Sequence, residues 1–356
     1  MPMIRESLLH KAGWCVWKSI LSICLAFAFA SPAAQAAGKS GVSPSAISLP
    51  SGPGSIEGLG AEFEPSLNTG TANYSIPFRL PGGIAGNNPG LSLIYEGGNG
   101  NSPAGLGWSL STSSIRRQCG KGIPVYHPNG KDDDFDGYTD EDDEQDRFLD
   151  PSGQELVLMN NGIYYPETQE QFIRWRYINS GGNNHWQGRQ PDGTLLYYGL
   201  TPQARISGGE RVFSWLLEKI TDTQGNVIQY QYTGFAGSDG QKYLEEIQYG
   251  PGAPPWEVFY LVRLSYEDRP DVLDDYRSGF LIRTGKRLRQ IDIAIQGVIP
   301  SGHLEGDLNQ DGTPDGLIRR YRLKYNSDPH WSLLSEVSLT GADGVSSLPP
   351  ARFTYP

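Results

Sequence analysis

The densest chemistry in the chain lies in Asp132-Asp-Asp134-Phe-Asp136-Gly137-Tyr138-Thr-Asp140-Glu-Asp-Asp143. Asp132, Asp134, Asp136 and Asp140 fall at positions 1, 3, 5 and 9 of a 12-residue calcium loop, with Gly137 at the bend and the Tyr138 carbonyl at position 7. Calcium takes about six to eight oxygens wrapped around a tight turn, and alternate carboxylates with glycine at the bend supply them. Position 12 departs from the pattern, because Asp143 stands where a bidentate Glu is expected and Glu144 comes one residue late. A solvated acidic insert competes with the metal site. Asp132 to Asp146 holds ten acids and no base, a run that repels itself unless a cation relieves it. A second, weaker candidate is Asp307, Asn309, Asp311, Thr313 and Asp315; its position 12 is Ile318, which cannot ligate, so a plain Asx/Gly turn explains it equally well.

Other chemistry is thin. There is no G-x-S-x-G elbow, no H-E-x-x-H, no phosphate-binding glycine loop and no zinc spacing among the five His and three Cys. A glycosidase needs only two carboxylates, which 40 acidic residues supply in any fold, so that rival stays open. The expectation is a chain without catalytic residues. A net charge of −11 without basic blocks argues against nucleic-acid binding, which needs clustered Lys and Arg.

The elements that must hold these loops are strands. With 45 Gly, 26 Pro, 19 Tyr, 12 Phe and 8 Trp the chain is rich in turns and aromatics, unlike a bundle or coiled coil. Short alternating runs at 73–78, 91–95, 155–159 and 320–325 are bounded by Gly, Asn, Asp or Pro. Val212–Ile220 has a helix-like look, but the turn Thr221-Asp-Thr-Gln-Gly-Asn226 and the alternation of Val227–Tyr232 make it one arm of a hairpin. The fold class expected is all-β: many short antiparallel hairpins in a sandwich-like or shell-like domain with long loops. Hairpins ending in Tyr-x-Tyr recur loosely at 215–232 and 317–325, as any aromatic meander or a shell-forming tyrosine repeat would show. Trp108, Trp215, Tyr230 and Tyr232 are expected in the core rather than at a binding site.

The first 36 residues read as a cleavable leader. Arg5, Lys11 and Lys18 precede an apolar run to Ala30, and Ala34-Gln-Ala36 fits a signal-peptidase site. The run is too short for a stable membrane span, which needs ~20 residues. Export through the Sec pathway, by way of a periplasm, to the exterior is expected. Cleavage after Ala36 shifts the net charge from −11 to −13 and leaves Cys119 as the one cysteine, so no internal disulfide forms. Residues 37–60 are a flexible Gly/Ser/Pro-rich segment, and the β-rich domain runs over 61–356 with the acidic loop at 130–146.

Longer motifs add a resemblance. They include Leu49-Pro-Ser-Gly-Pro-Gly-Ser-Ile-Glu-Gly-Leu-Gly60, Phe63–Pro77, Gly105-Leu-Gly-Trp108, Ile115-Arg-Arg117 and Pro191-Asp-Gly-Thr194. Phe213-Ser-Trp-Leu-Leu-Glu218, Asp222–Ile228 and Arg269-Pro-Asp-Val-Leu273 with Gly279-Phe280 continue the series. Over residues 45 to 356 the chain resembles the N-terminal domain of the Salmonella virulence plasmid B protein (SpvB) family, shared with the B component of insecticidal Tc toxin complexes. The resemblance implies a non-enzymatic shell or scaffold domain whose partners are pore-forming A-type and Rhs-repeat C-type components. In that family the ADP-ribosyltransferase is a separate C-terminal domain, and its Ser-Thr-Ser strand with a following Glu-x-Glu is missing here; Ser111-Thr-Ser113 has no such partner. A stand-alone calcium-dependent module for surface glycans is the alternative.

Overall fold

The computed structural model describes residues 62–65, 72–120, 122–126, 132, 137–138, 146–168, 171–180, 183–250, 254–255, 258–299, 302–304, 316–328 and 330–355. The chain divides between Ser51 and Gly52, and every described residue belongs to the second unit. The leader and the 37–60 segment lie outside the described residues. Among those described, two 3-10 turns, Ile84–Gly86 and Pro202–Ala204, are the helical segments, and the rest is strand and loop. No helix there is long and apolar enough to cross a membrane. The all-β expectation holds.

An N-terminal sheet in the order β1-β2-β3-β6 joins β1 (Glu62–Pro65), β2 (Ala72–Pro77), β3 (Ser92–Glu96) and β6 (Trp108–Leu110). A two-residue ribbon, β4 (Asn101–Ser102) with β5 (Gly105–Leu106), interrupts it. The remaining strands form one large sheet that closes on itself. Its closed part uses β7 (Ser114–Arg117), β8 (Phe148–Leu149), β9 (Glu155–Leu158), β10 (Tyr164–Pro166), β11 (Arg174–Ser180), β12 (Asn183–Arg189) and β13 (Leu195–Tyr198). These pair in sequence order, and β15 (Arg211–Thr221) completes the circuit. One side of β15 takes β14 (Arg205–Gly208) and then β13; the other takes β7 at 214–216 and the next strand at 219–221.

Alternation fills this small barrel with aromatics. Trp175, Tyr177, Trp186 and Tyr198 point inward on β11–β13 and meet Phe148, Tyr164 and Trp215, with ring centroids from 4.9 to 6.2 Å apart. Each such pair adds about 0.5–1.5 kcal/mol beyond area burial.

From β15 an antiparallel meander continues through β16 (Val227–Thr233), β17 (Tyr243–Gly250), β18 (Val258–Asp275) and β19 (Ile282–Ile299). A short return strand, β20 (Gly302–Leu304), pairs with the end of β19; β21 (Leu317–Tyr325), β22 (Leu334–Thr340) and β23 (Ala351–Arg352) finish the sheet. The predicted hairpin is β15–β16, and Trp108, Trp215, Tyr230 and Tyr232 are all buried.

β18 and β19 depart from the short-hairpin pattern, with 18 residues each. β17 and β21 flank them at 260–263 and 290–294, so the stretch 267–275 with 282–288 extends beyond both neighbours as an arm. Cross-strand ion pairs line it: Glu267–Arg287 at 2.8 Å, Asp268–Lys286 at 2.7 Å and Asp274–Arg283 at 2.7 Å. Exposed pairs contribute ~0–1 kcal/mol each, so their main effect is to fix register.

Candidate functional site

The acidic loop leaves the barrel between β7 and β8, and its neck is the best-defined part. The Asp146 carboxylate accepts the backbone N–H groups of Val125 (2.8 Å) and Tyr126 (2.6 Å) and pairs with Arg117 Nη1 at 2.5 Å. Arg117 also donates from Nε to the Val212 carbonyl at 2.9 Å, and its guanidinium lies 4.9 Å from the Tyr126 ring, 5.0 Å from Phe148 and 5.5 Å from Trp215. Side-chain exposures of 9% for Arg117 and 5% for Asp146 make this a buried, fully bonded pair. Tyr126 takes a left-handed φ of 64°, unusual for a bulky residue. Its hydroxyl donates to the Ser278 carbonyl at 2.6 Å, and burial pushes its pKa up to about 12. Arg211 donates to the Gly279 carbonyl at 3.2 Å. The neck therefore joins the barrel to the tip of the arm.

Within the loop, Asp132, Gly137 and Tyr138 are described. Asp132 Oδ2 accepts the Gly137 N–H at 2.9 Å, and Gly137 has φ +99°, so the first carboxylate closes onto the bend glycine. Tyr138 is 70% exposed, which leaves its phenol outside any core role. Asp134, Asp136, Asp140 and Asp143 lie outside the described residues, as do Asp307, Asn309, Asp311, Thr313 and Asp315. Among the described residues no three His, Cys, Asp or Glu converge on a point.

A second buried polar cluster was not singled out as chemistry in the sequence, although its motif was. Between Asp268 and Leu273 the β18–β19 register breaks, and the bulge turns Arg269 inward. Its guanidinium pairs with Asp271 at 3.0 Å and donates to Asn101 Oδ1 (2.7 Å) and the Ser102 carbonyl (3.0 Å). Asp271 also accepts from Asn101 Nδ2 and the Ser332 N–H, each at 2.7 Å, and from the Ser332 hydroxyl. Burial alone would raise the Asp271 pKa, but the bonds from Arg269, Ser332 and Asn101 hold it well below the usual carboxylate range. A third pair, Arg320–Asp292 at 2.6 Å, ties β21 to β19. Asp146, Asp271 and Asp292, at 5%, 4% and 7% exposure, are thus each held by an arginine and serve as braces.

One cleft, about 280 Å³, has an apolar lining that includes Ile84, Val258, Tyr260 and Ile295. No carboxylate, imidazole or thiol enters it.

The family described as "SpvB: Salmonella virulence plasmid 65kDa B protein" matches residues 66–268, more than half of the chain. Mono(ADP-ribosyl)transferase SpvB of Salmonella choleraesuis (strain SC-B67) is 25% identical over 352 residues, covering 78% of this chain and 55% of the relative. The protein of the same name from Salmonella typhimurium (strain 14028s / SGSC 2262) is 25% identical over 335 residues, covering 73% and 52%. The chain spans about half the length of these curated relatives. The N-terminal domain of effector protein SpvB from Salmonella typhimurium strain LT2 shares the fold, with a TM-score of 0.60, 24% identity, and coverage of 75% of this chain and 98% of that one. A Tc holotoxin pore from Photorhabdus luminescens gives a TM-score of 0.67 at 27% identity, over 87% of this chain and 17% of the matched chain. TcdB2-TccC3 gives 0.67 at 26% over the same shares. By sequence and by fold, this chain belongs to the SpvB family.

Proposed function

We propose that this chain is a scaffold or shell domain of a toxin component, exported, without turnover of its own. Its partners in this reading are other components of Tc type, pore-forming A-type and Rhs-repeat C-type chains. The observation that carries it is the likeness over 87% of this chain to a segment making up 17% of a Tc holotoxin chain, so the same fold serves elsewhere as one part of a large assembly. The polar interior supports it too: buried carboxylates are locked to arginines at 2.5 to 3.0 Å, which suits bracing rather than proton transfer. The mono(ADP-ribosyl)transferase activity named for the Salmonella relatives is not part of the proposal. Calcium in the 132–143 loop is: the Asp132–Gly137 bond fits a cation-wrapping bend, and a cation would relieve the mutual repulsion of the eight acids from Asp132 to Asp143.

The test is the native state of the product in the producing cell and its medium, captured with an antibody to this domain and sized without denaturation. A complex several-fold heavier than 39.1 kDa with co-captured chains is expected. A free monomer just below that mass would overturn the scaffold reading.

A further inference from the structure

The outward face of the barrel at β11–β12 gathers three arginines on two paired strands. The inward residues of these strands, Trp175, Tyr177 and Trp186, fill the barrel, so Arg174, Arg176 and Arg189 stand on the other face, and all three are exposed. Arg174 and Arg189 are direct cross-strand partners, a like-charge opposition that costs stability. Most described Arg and Lys side chains on the neighbouring meander have a carboxylate within ion-pair reach. Among the described ion pairs none involves Arg174, Arg176 or Arg189. Of the acids on the adjoining strands, Glu155 on β9 is taken by Arg147 at 2.5 Å, and the exposed Glu167, just past β10, borders this face beside Phe172 and belongs to none of the described ion pairs. The next positions on this face continue the cationic strip with Gln187, Tyr197 and Lys219, whose ammonium sits 4.7 Å over the Tyr197 ring.

Exposed apolar side chains share the face, Phe172 just before β11 and Val157 and Met159 two strands away at β9. Val157 is 43% exposed, Met159 51% and Phe172 62%. Phe172 holds a φ of 53°, a left-handed conformation that a bulky residue adopts at a cost.

We propose that this face is a docking surface for a polypeptide segment of a partner protein that carries carboxylates between apolar side chains. The proposal rests on the scaffold reading, since it names a surface through which such a domain would be held. Charge complementarity selects the carboxylates. Cross-strand neighbours lie about 5 Å apart and i, i+2 residues about 7 Å apart, so the three planar guanidiniums match two acids on an extended or helical segment. The exposed Met and Phe favour a polypeptide, because interfaces are enriched in arginine with aromatic and thioether anchors and a phosphate chain has no apolar surface to set against them. The strongly acidic chain as a whole repels a long polyanion or an anionic bilayer, whereas a short acidic segment feels mainly the local patch within about 8 Å.

The test uses the full chain and a short fluorescent peptide in which Asp alternates with Leu and Phe, read by anisotropy, with heparin and phosphatidylglycerol vesicles as separate arms. Arg174→Glu is expected to weaken peptide binding about tenfold or more and Phe172→Ala to weaken it several-fold. Arg116→Glu, an exposed arginine on β7, should leave it unchanged. Arg174→Glu should also raise the melting temperature by about 1 °C or more, since it turns a repulsive cross-strand pair into an attractive one. That second readout needs no ligand. Three results would overturn the proposal: equal peptide binding by all variants, a lowered melting temperature for Arg174→Glu, or tighter binding to heparin or vesicles that ignores Phe172→Ala. If the native complex forms while these tests fail, the docking face is wrong and the scaffold reading stands.

Discussion

Asp271→Asn tests whether the buried arginine cluster, rather than the surface ion pairs, holds the arm to the body. The substitution keeps the side-chain volume but removes the charge opposite Arg269, whose side chain has 0% exposure. Arg269 then keeps the Asn101 and Ser102 oxygens and at most one neutral amide oxygen, and Ser332 loses a charged acceptor for its N–H and hydroxyl. Breaking a buried pair by removing one partner costs about 3–5 kcal/mol. Losing an exposed pair such as Asp268–Lys286, with Asp268 88% exposed, costs ~0–1 kcal/mol. For a domain of this size the buried change corresponds to a melting temperature lower by roughly 6 °C or more. Urea unfolding of both proteins at neutral pH measures it directly.

The pH dependence gives a sign. The folded Asp271 pKa is depressed, so its stabilisation is present above the unfolded carboxylate value, near 4, and is lost as pH falls through the folded value. The gap between wild type and Asp271→Asn should therefore be constant near neutrality and narrow in acid. A difference below about 1 kcal/mol, or a gap that widens on acidification, would refute the reasoning.

Three further outcomes are expected. Arg117→Met should destabilise by about 3–5 kcal/mol by leaving Asp146 charged and buried, and limited proteolysis should then cut within the 126–146 excursion before the barrel opens. Gly188→Ala should cost about 1–3 kcal/mol, because the new Cβ would lie 2.5 Å from the Trp175 ring, and near-ultraviolet circular dichroism should report the displaced indole. Asp134→Asn with Asp136→Asn should lower the melting temperature only in the presence of calcium; equal melting of wild type in calcium and in chelator would remove the metal from the loop.

The hairpins were legible because turn chemistry is local. Asp222 accepts the N–H groups of Gln224 and Asn226 and so closes the β15–β16 turn, and Asp192 and Asp150 do the same at theirs. The arm was not legible. Glu267-Asp-Arg-Pro-Asp271 is charged and contains proline, which reads as loop, and only the bulge makes room for Pro270 while cross-strand bases neutralise the acids. Barrel closure was hidden for another reason: β15 changes partners halfway along, and pairing of residues a hundred positions apart leaves no periodic mark. Asp146 shows how a residue's class misleads. Counted by composition it is the tenth acid of a repelling run, yet its charge is spent on Arg117 and two backbone N–H groups, and it anchors the other nine.

Glycine and aromatic abundance read in the sequence as two signals, turns and a core. The strands make them partly one. Gly188 lies within β12 and Gly208 closes β14 against Arg211 at the hairpin end, and neither has a positive φ. A Cβ on Gly188 would fall 2.5 Å from the Trp175 ring, and one on Gly208 would fall 2.4 Å from Phe280. In each case a ring lies flat on bare backbone, which admits a larger side chain than the spacing between strands would otherwise allow. Gly208 is the more telling of the two, because Phe280 comes from the arm tip and also faces Tyr126 at the loop neck, with ring centroids 6.4 Å apart. The glycine therefore sets how closely arm, neck and barrel approach. A wall built from rings seated on backbone, with the deep carboxylates Asp146, Asp271 and Asp292 each locked to an arginine, resists deformation at the junctions where a scaffold would carry load.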